Sequence, residues 1–244
     1  MKKIALLLLL FLHGGITFAQ IKVNNAPRTG NEFVLSAQGK ACTIFIDESD
    51  EEVVKKVSAL FNEDIERVTG AKGKVFTTKP TKEKQAIIIG TIGRNQWIDQ
   101  LIKQNKLDVS QIQNGWEQYV VSVVDKPFKG VDKALVIAGC DRRGTAYGTF
   151  AISEAIGVSP LYWWADVPVK KQNSLYLETT HYVSKTPSVK YRGIFINDEG
   201  WGITPWAAKT HEPEVGNIGP KTYPRVCELI LRMTGKLPAP CPYT

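Results

Sequence analysis

Three polar residues in a row, Asn197, Asp198 and Glu199, stand at the end of the apolar run Tyr191 to Ile196 and ahead of a loop rich in Gly, Trp and Pro. Barrel enzymes gather their site residues at strand C-termini in this way, where a carboxylate can accept hydrogen bonds from a substrate or act as acid or base. Neighbouring strand residues point to opposite faces. Asp198 and Glu199 therefore cannot both address one bond as an acid and base pair, and at most one enters a pocket from this strand. A strand-end carboxylate can equally cap the following helix or pair with Arg192. Trp201 and Trp206 lie in the loop that follows, placed to line a pocket mouth. A second aromatic group, Tyr162, Trp163 and Trp164, precedes Ala165-Asp166-Val167-Pro168. A pyranose offers an apolar C–H face to such rings, but adjacent aromatics more often fill a core between domains, and this pair is read that way first.

Other chemistries find little support. Gly139-Cys140-Asp141-Arg142-Arg143-Gly144 follows a strand and opens a helix, where backbone N–H groups can hold an anion. It matches neither G-x-G-x-x-G nor the P-loop, nor does Gly90-Thr91-Ile92-Gly93, so no nucleotide is expected. Asp141, Arg142 and Arg143 are read as an ion-pair network at a helix start. The sequence holds no Ser nucleophile elbow, no Cys and His couple and no H-E-x-x-H. His181 and His211 lack a second ligand at zinc-site spacing, so no metal and no cofactor is expected. Cys42, Cys140, Cys227 and Cys241 show no framework spacing and are read as buried free thiols.

The elements that must position these residues begin with a strand at Cys42 to Ile46. Asp47, Ser49 and Asp50 then offer caps for a helix whose apolar positions Val54, Val57, Leu60, Phe61, Ile65 and Val68 recur at three and four residues, with Gly70 as its stop. Ala86 to Ile89 reads as a buried strand, followed by a helix around Trp97, Leu101 and Ile102. Tyr119 to Val124 and Ala134 to Ala138 add two strands, and a helix runs from about Arg143 to Ile156. Ser174 to Lys190 has the polar character of a connection. Beyond it come a strand over Tyr191 to Ile196 and a helix from about Pro224 to Met233, one βα unit.

Lys2 and Lys3 precede an apolar run, Ile4 to Leu12, too short to span a bilayer, and Thr17 and Ala19 suit cleavage before Gln20. The expectation is a cleavable signal peptide over residues 1–19 and a mature chain in the periplasm or outside the cell, with no membrane association. Removing Lys2 and Lys3 from 31 Lys and Arg leaves 29 against 24 Asp and Glu, a mildly basic balance. The charges are dispersed rather than clustered with aromatics, so they read as solvated faces and not as a nucleic-acid surface, though they are compatible with an acidic polysaccharide.

Three segments together resemble glycoside hydrolase family 115, the xylan α-1,2-glucuronidases: Gly139 to Val169, Val189 to Ala207, and the helix around Cys227 to Met233. The resemblance implies an α/β fold class, with a sandwich-like pre-barrel domain over residues 20–185 and the first βα unit of an incomplete (β/α)8 barrel over 190–244. It implies release of glucuronic acid or its 4-O-methyl ether from acidic xylan by inversion. Asn197, Asp198 and Glu199 match the family's N-D-E motif. Asp198 is then the expected sugar contact, Trp201 a further one, and the general acid lies beyond this chain. The resemblance also allows a homodimer of the full-length enzyme. A barrel takes about 250 residues whereas 54 follow Lys190, and the ending from Lys236 departs from the family. The expectation is an inactive, truncated chain. The reading from a different class is a noncatalytic module that binds acidic carbohydrate or a partner protein.

Overall fold

The computed structural model describes residues 21–178, 181–196 and 201–234. The expected signal peptide lies outside them. In chain order the strands are β1 (Val23–Asn24), β2 (Phe33–Ala37), β3 (Lys40–Ala41), β4 (Thr43–Ile46), β5 (Val75–Phe76), β6 (Glu83–Thr91), β7 (Tyr119–Asp125), β8 (Val131–Gly139), β9 (Leu175–Leu177) and β10 (His181–Val183). The helices are α1 (Glu52–Thr69), α2 (Gln96–Lys103), α3 (Arg142–Ala155), α4 (Ile203–Trp206) and α5 (Thr222–Arg232), with a π-helical turn at Ala207–His211. No described helix is long and apolar enough to cross a membrane.

A six-stranded mixed sheet runs β10-β7-β8-β6-β4-β5, parallel from β8 to β5 and antiparallel at β7 and β10. Its central strands are continuous apolar runs because both faces are covered. Alternation then sorts the side chains. Ile87, Ile89, Leu135 and Ile137 face α1 and α3, while Ala86, Ile88, Ala134 and Val136 face Trp97, Ile98 and Leu101 of α2. A second, four-stranded antiparallel sheet, β1-β9-β2-β3, adds Phe33, Leu35, Leu175 and Leu177 to the first of these cores.

The expected strands before residue 140 and the first three helices are in place, with ends shifted by up to three residues. Gly70 ends α1 at φ 75°, a left-handed conformation open to glycine. Asp47 and Asp50, expected as caps, do something else. The α1 N-cap is Glu51, which makes no side-chain cap bond. Asp50 Oδ2 instead accepts from the Thr91 amide (2.8 Å) and Asp47 Oδ2 from the Gln96 amide (3.1 Å), so the two carboxylates tie the segment after β4 to the end of β6 and to the start of α2. Helix α3 sits close on the sheet at Gly148, where a Cβ would stand 2.8 Å from the Tyr119 ring.

Three expectations need correction. Ser174 to Lys190 is more than a connection, since β9 and β10 fall within it and Ser184 is bonded to Gln118 and Tyr119. Residues 191–196 do not form a strand. Backbone hydrogen bonds define a strand only against a neighbouring strand, and no described strand pairs with these residues, of which Tyr191 and Phe195 stand 78% and 89% exposed. A lone βα unit predicts that α5 exposes Val226, Leu229, Ile230 and Met233; Met233 is exposed, but Val226 and Ile230 are buried, and Leu231 joins the core shared by α1 and α3.

The thiols also differ from expectation. Cys42 and Cys140 are free but only half-buried, and Cys227 is disulfide-bonded. Burial, with help from the nearby Glu83 charge, pushes the Cys42 thiol up to about 12, so it is inert at ordinary pH.

Candidate functional site

A pocket of about 660 Å³ lies between the loop after α3 and the segment from Ile203 to His211, lined by Tyr162, Trp163, Trp164, Asp166, Ile203, Trp206, Thr210 and His211. Its walls are aromatic. Trp163 packs edge-on against Trp164 (4.9 Å, 85°), Trp206 (5.9 Å, 86°) and His211 (5.0 Å, 69°). The π turn explains the pairing of Trp206 with His211, which stack at 5.5 Å and 19°. A turn of this type closes i to i+5, as the Glu212 amide does on the Ala207 carbonyl at 2.7 Å, and it brings residues five apart onto one side. Such turns are rare and concentrate at functional sites. Pro205 is tolerated because it falls in the first turn of α4, where its missing N–H has no intrahelical partner.

Helix α5 holds both walls. Arg232 makes a bidentate pair with Asp64 of α1 (2.7 and 3.1 Å) and a further bond to Glu228 (2.9 Å), all three side chains being buried. Glu228 accepts from the Tyr162 hydroxyl (3.0 Å) and from Arg225 (2.9 Å), and the Trp164 indole donates to the Arg225 carbonyl (3.1 Å). Burial, then the Glu228 charge, raises the Tyr162 phenol above its ordinary value, which keeps it a donor. The other wall is fastened by Glu212. Burial disfavours its charge, but bonds from the Thr222 hydroxyl and from the amides of Lys221, Thr222 and Gly219 outweigh that and lower it to about 2. This carboxylate sits at the N-terminus of α5, where negative charge is favoured. Gly219 permits the approach, since a Cβ there would lie 2.6 Å from Glu212 Oε1.

The residues singled out from sequence fare differently. Asn197, Asp198 and Glu199 lie outside the described residues. Trp201 is 82% exposed and is not part of the pocket lining, whereas Trp206 lines it. Trp163 and Trp164 meet both readings at once, packing between two parts of the chain and lining the cavity. Arg192 pairs with the buried Glu117, and also donates to the carbonyls of Val189 and Thr234. Asp141 caps α3 through the Gly144 amide (2.8 Å) and accepts from the Glu117 amide (2.7 Å), while Arg142 reaches Glu51 at 3.9 Å, which is structural work at a helix start. His211 and Thr210 escaped sequence reasoning, because a π turn leaves no 3.6-residue periodicity to detect.

No curated protein matches the chain. The family model for glycosyl hydrolase family 115 matches residues 184–242. Among solved structures, BtGH115A, described as a family GH115 4-O-methyl-α-glucuronidase with specificity for decorated arabinogalactans, superposes with a TM-score of 0.70 at 38% identity, over 84% of this chain and 25% of that one. Looser likeness extends to the GH20 β-N-acetylhexosaminidase of Streptomyces coelicolor A3(2), with a TM-score of 0.44 at 9% identity over 81% of this chain and 31% of that one, a level that carries no functional weight. The chain thus spans about a quarter of the length of BtGH115A, and the π turn and α5 fall within the residues that the family model matches. It belongs to glycoside hydrolase family 115.

Proposed function

We propose that this chain supplies the N-terminal α/β domain and the opening of the catalytic barrel of an exported α-glucuronidase, which removes glucuronic acid or its 4-O-methyl ether from a plant polysaccharide with inversion. The observation that carries the proposal is the 38% identity to a 4-O-methyl-α-glucuronidase over 84% of this chain. Residues 191–196 support the barrel reading, since a segment with exposed Tyr191, Ile194 and Phe195 is what neighbouring barrel strands would cover. Asp198, at the end of that segment, is the proposed sugar contact.

Inversion requires an acid and a base, their carboxyls roughly 6.5–9.5 Å apart to admit water. Asp166 is the one carboxylate that lines the pocket among the described residues, so the pocket is assigned to binding and the general acid to the rest of a family-sized protein. Residues 1–244 on their own should then release no glucuronic acid. Xylan is the expected substrate. Arabinogalactan is a second reading, favoured because BtGH115A is described as specific for its decorated forms.

The test uses the full-length protein that contains this chain, with glucuronic-acid-substituted xylo-oligosaccharides and arabinogalactan oligosaccharides as substrates. Glucuronic acid should appear as the inverted anomer from at least one of them. Asp198→Ala should cost several kcal/mol in kcat/KM with unchanged melting, whereas Glu199→Ala should act mainly through stability. Release from neither substrate would leave a noncatalytic carbohydrate-binding module as the better description.

A further inference from the structure

We propose that the aromatic pocket is a subsite for the uncharged pyranoses that carry the uronic acid, and not for the uronic acid itself. This rests on the glycosidase reading and adds which part of the glycan the pocket holds. Trp206 is 37% exposed and Trp163 stands at 86° to it, so the two rings form walls at a right angle. A pyranose that stacks its C–H face on one presents its edge to the other. At about 660 Å³ the pocket has the size of a small-molecule site.

The charges select against a carboxylate. No Lys or Arg lines the pocket among the described residues, while Asp166 does. A uronate would find no guanidinium fork there and would meet a like charge. Arg225, beneath Trp163 at 5.1 Å, is already committed to Glu228 and Tyr162. Hydroxyl groups fit better, since a carboxylate such as Asp166 is an acceptor for them and the Thr210 hydroxyl, which donates to the Trp206 carbonyl, keeps lone pairs to accept.

His211 supplies the independent observation. Its Nε2 is buried with no hydrogen-bond partner among the described residues, a condition that costs free energy unless a ligand relieves it. The Trp206 ring stacked on it is partly exposed. His211 is itself a lining residue, so this nitrogen is a group of the pocket wall that a sugar hydroxyl would satisfy.

The test is calorimetric titration of the 244-residue chain with xylohexaose, with a β-linked galactohexaose and with free glucuronic acid. At least one neutral oligosaccharide should bind saturably, and glucuronic acid should bind at least about tenfold more weakly. Trp206→Ala should weaken neutral binding by about tenfold or more, with Trp206→Phe retaining most of it. Should Trp206→Ala fail to fold, Asp166→Lys at an exposed position replaces it, and it should shift preference towards glucuronic acid by about threefold or more. The response of the two neutral sugars distinguishes a xylan from a galactan source.

Absence of saturable binding by both neutral sugars, preference for glucuronic acid, or indifference to both variants would overturn the subsite. Glucuronic acid release by the full-length protein without neutral binding here would sink the subsite alone. Neutral binding here without release there would keep the subsite and sink the glycosidase reading.

Discussion

The α/β domain and the segment from Val189 to Thr234 are held by different physics. In the first, Phe33, Phe61, Ile65, Ile87 and Leu135 are completely buried against one another, on a sheet whose hydrogen bonds are regular. In the second, Val189, Tyr191, Ile194 and Phe195 stay exposed, and beyond the apolar strip of α5 (Val226, Ile230 and Leu231) attachment comes from a few specific polar contacts, Arg192 on Glu117 and Arg232 on Asp64, while Glu212 fastens the start of α5 within the segment. An apolar core is redundant, because many contacts share the load. A tether of ion pairs concentrates its stability in single side chains whose loss strands a buried charge. The candidate pocket lies where the two meet, so its geometry depends on the less redundant partner.

Substitutions can break this contrast in order of size. Phe61→Ala, in the centre of α1, should destabilise the α/β domain by about 3–5 kcal/mol and lower its denaturation midpoint, leaving the cooperativity of the transition to report on the core. Arg232→Met should cost about 3 kcal/mol because Asp64 and Glu228 remain buried with fewer partners. Its signature should be local: α5 and the Trp163 and Trp206 fluorescence should change before the β-sheet signal does. If chemical denaturation showed both variants losing the whole fold in one identical step, the two regions would not differ in the way described.

A smaller effect separates the regions by pH. Glu212 is lowered from 4.5 to about 2 in the folded chain, so its contribution is complete above about pH 4.5 and is lost as the pH falls towards 2. The start of α5 should therefore loosen through that window, seen as faster proteolysis near Pro220, and Glu212→Gln should remove this pH dependence. Cleavage that stays flat across the window in the native chain would contradict the assignment.

The same contrast explains how far the sequence could be read. Periodicity found α1, the runs at Ala86 and Ala134, and the helix now seen as α5, because burial on two faces or one stripe leaves a pattern in neighbouring residues. Strand β2 (Phe33–Ala37), with polar residues on either side, and β9 and β10, within what reads as a connection, are not legible in this way, since strands of three to five residues offer few alternations. Trp206 was legible as a pocket residue from its place in a Gly- and Pro-rich loop. Its partner His211 was not, because the π turn that stacks them breaks helical spacing. The Asp64–Arg232 pair spans 168 residues, and nothing local in either stretch announces the other.

Native-state amide exchange along the chain tests most directly the claim that α5 is built into the α/β domain while the extended segment before it is not. The amides of α5 should be protected to a similar degree as those of α3, with residues 191–196 exchanging close to the unprotected rate. Exchange of α5 as fast as that of residues 191–196 would mean that the helix is not anchored on α1 and α3, and that the pocket it braces does not persist.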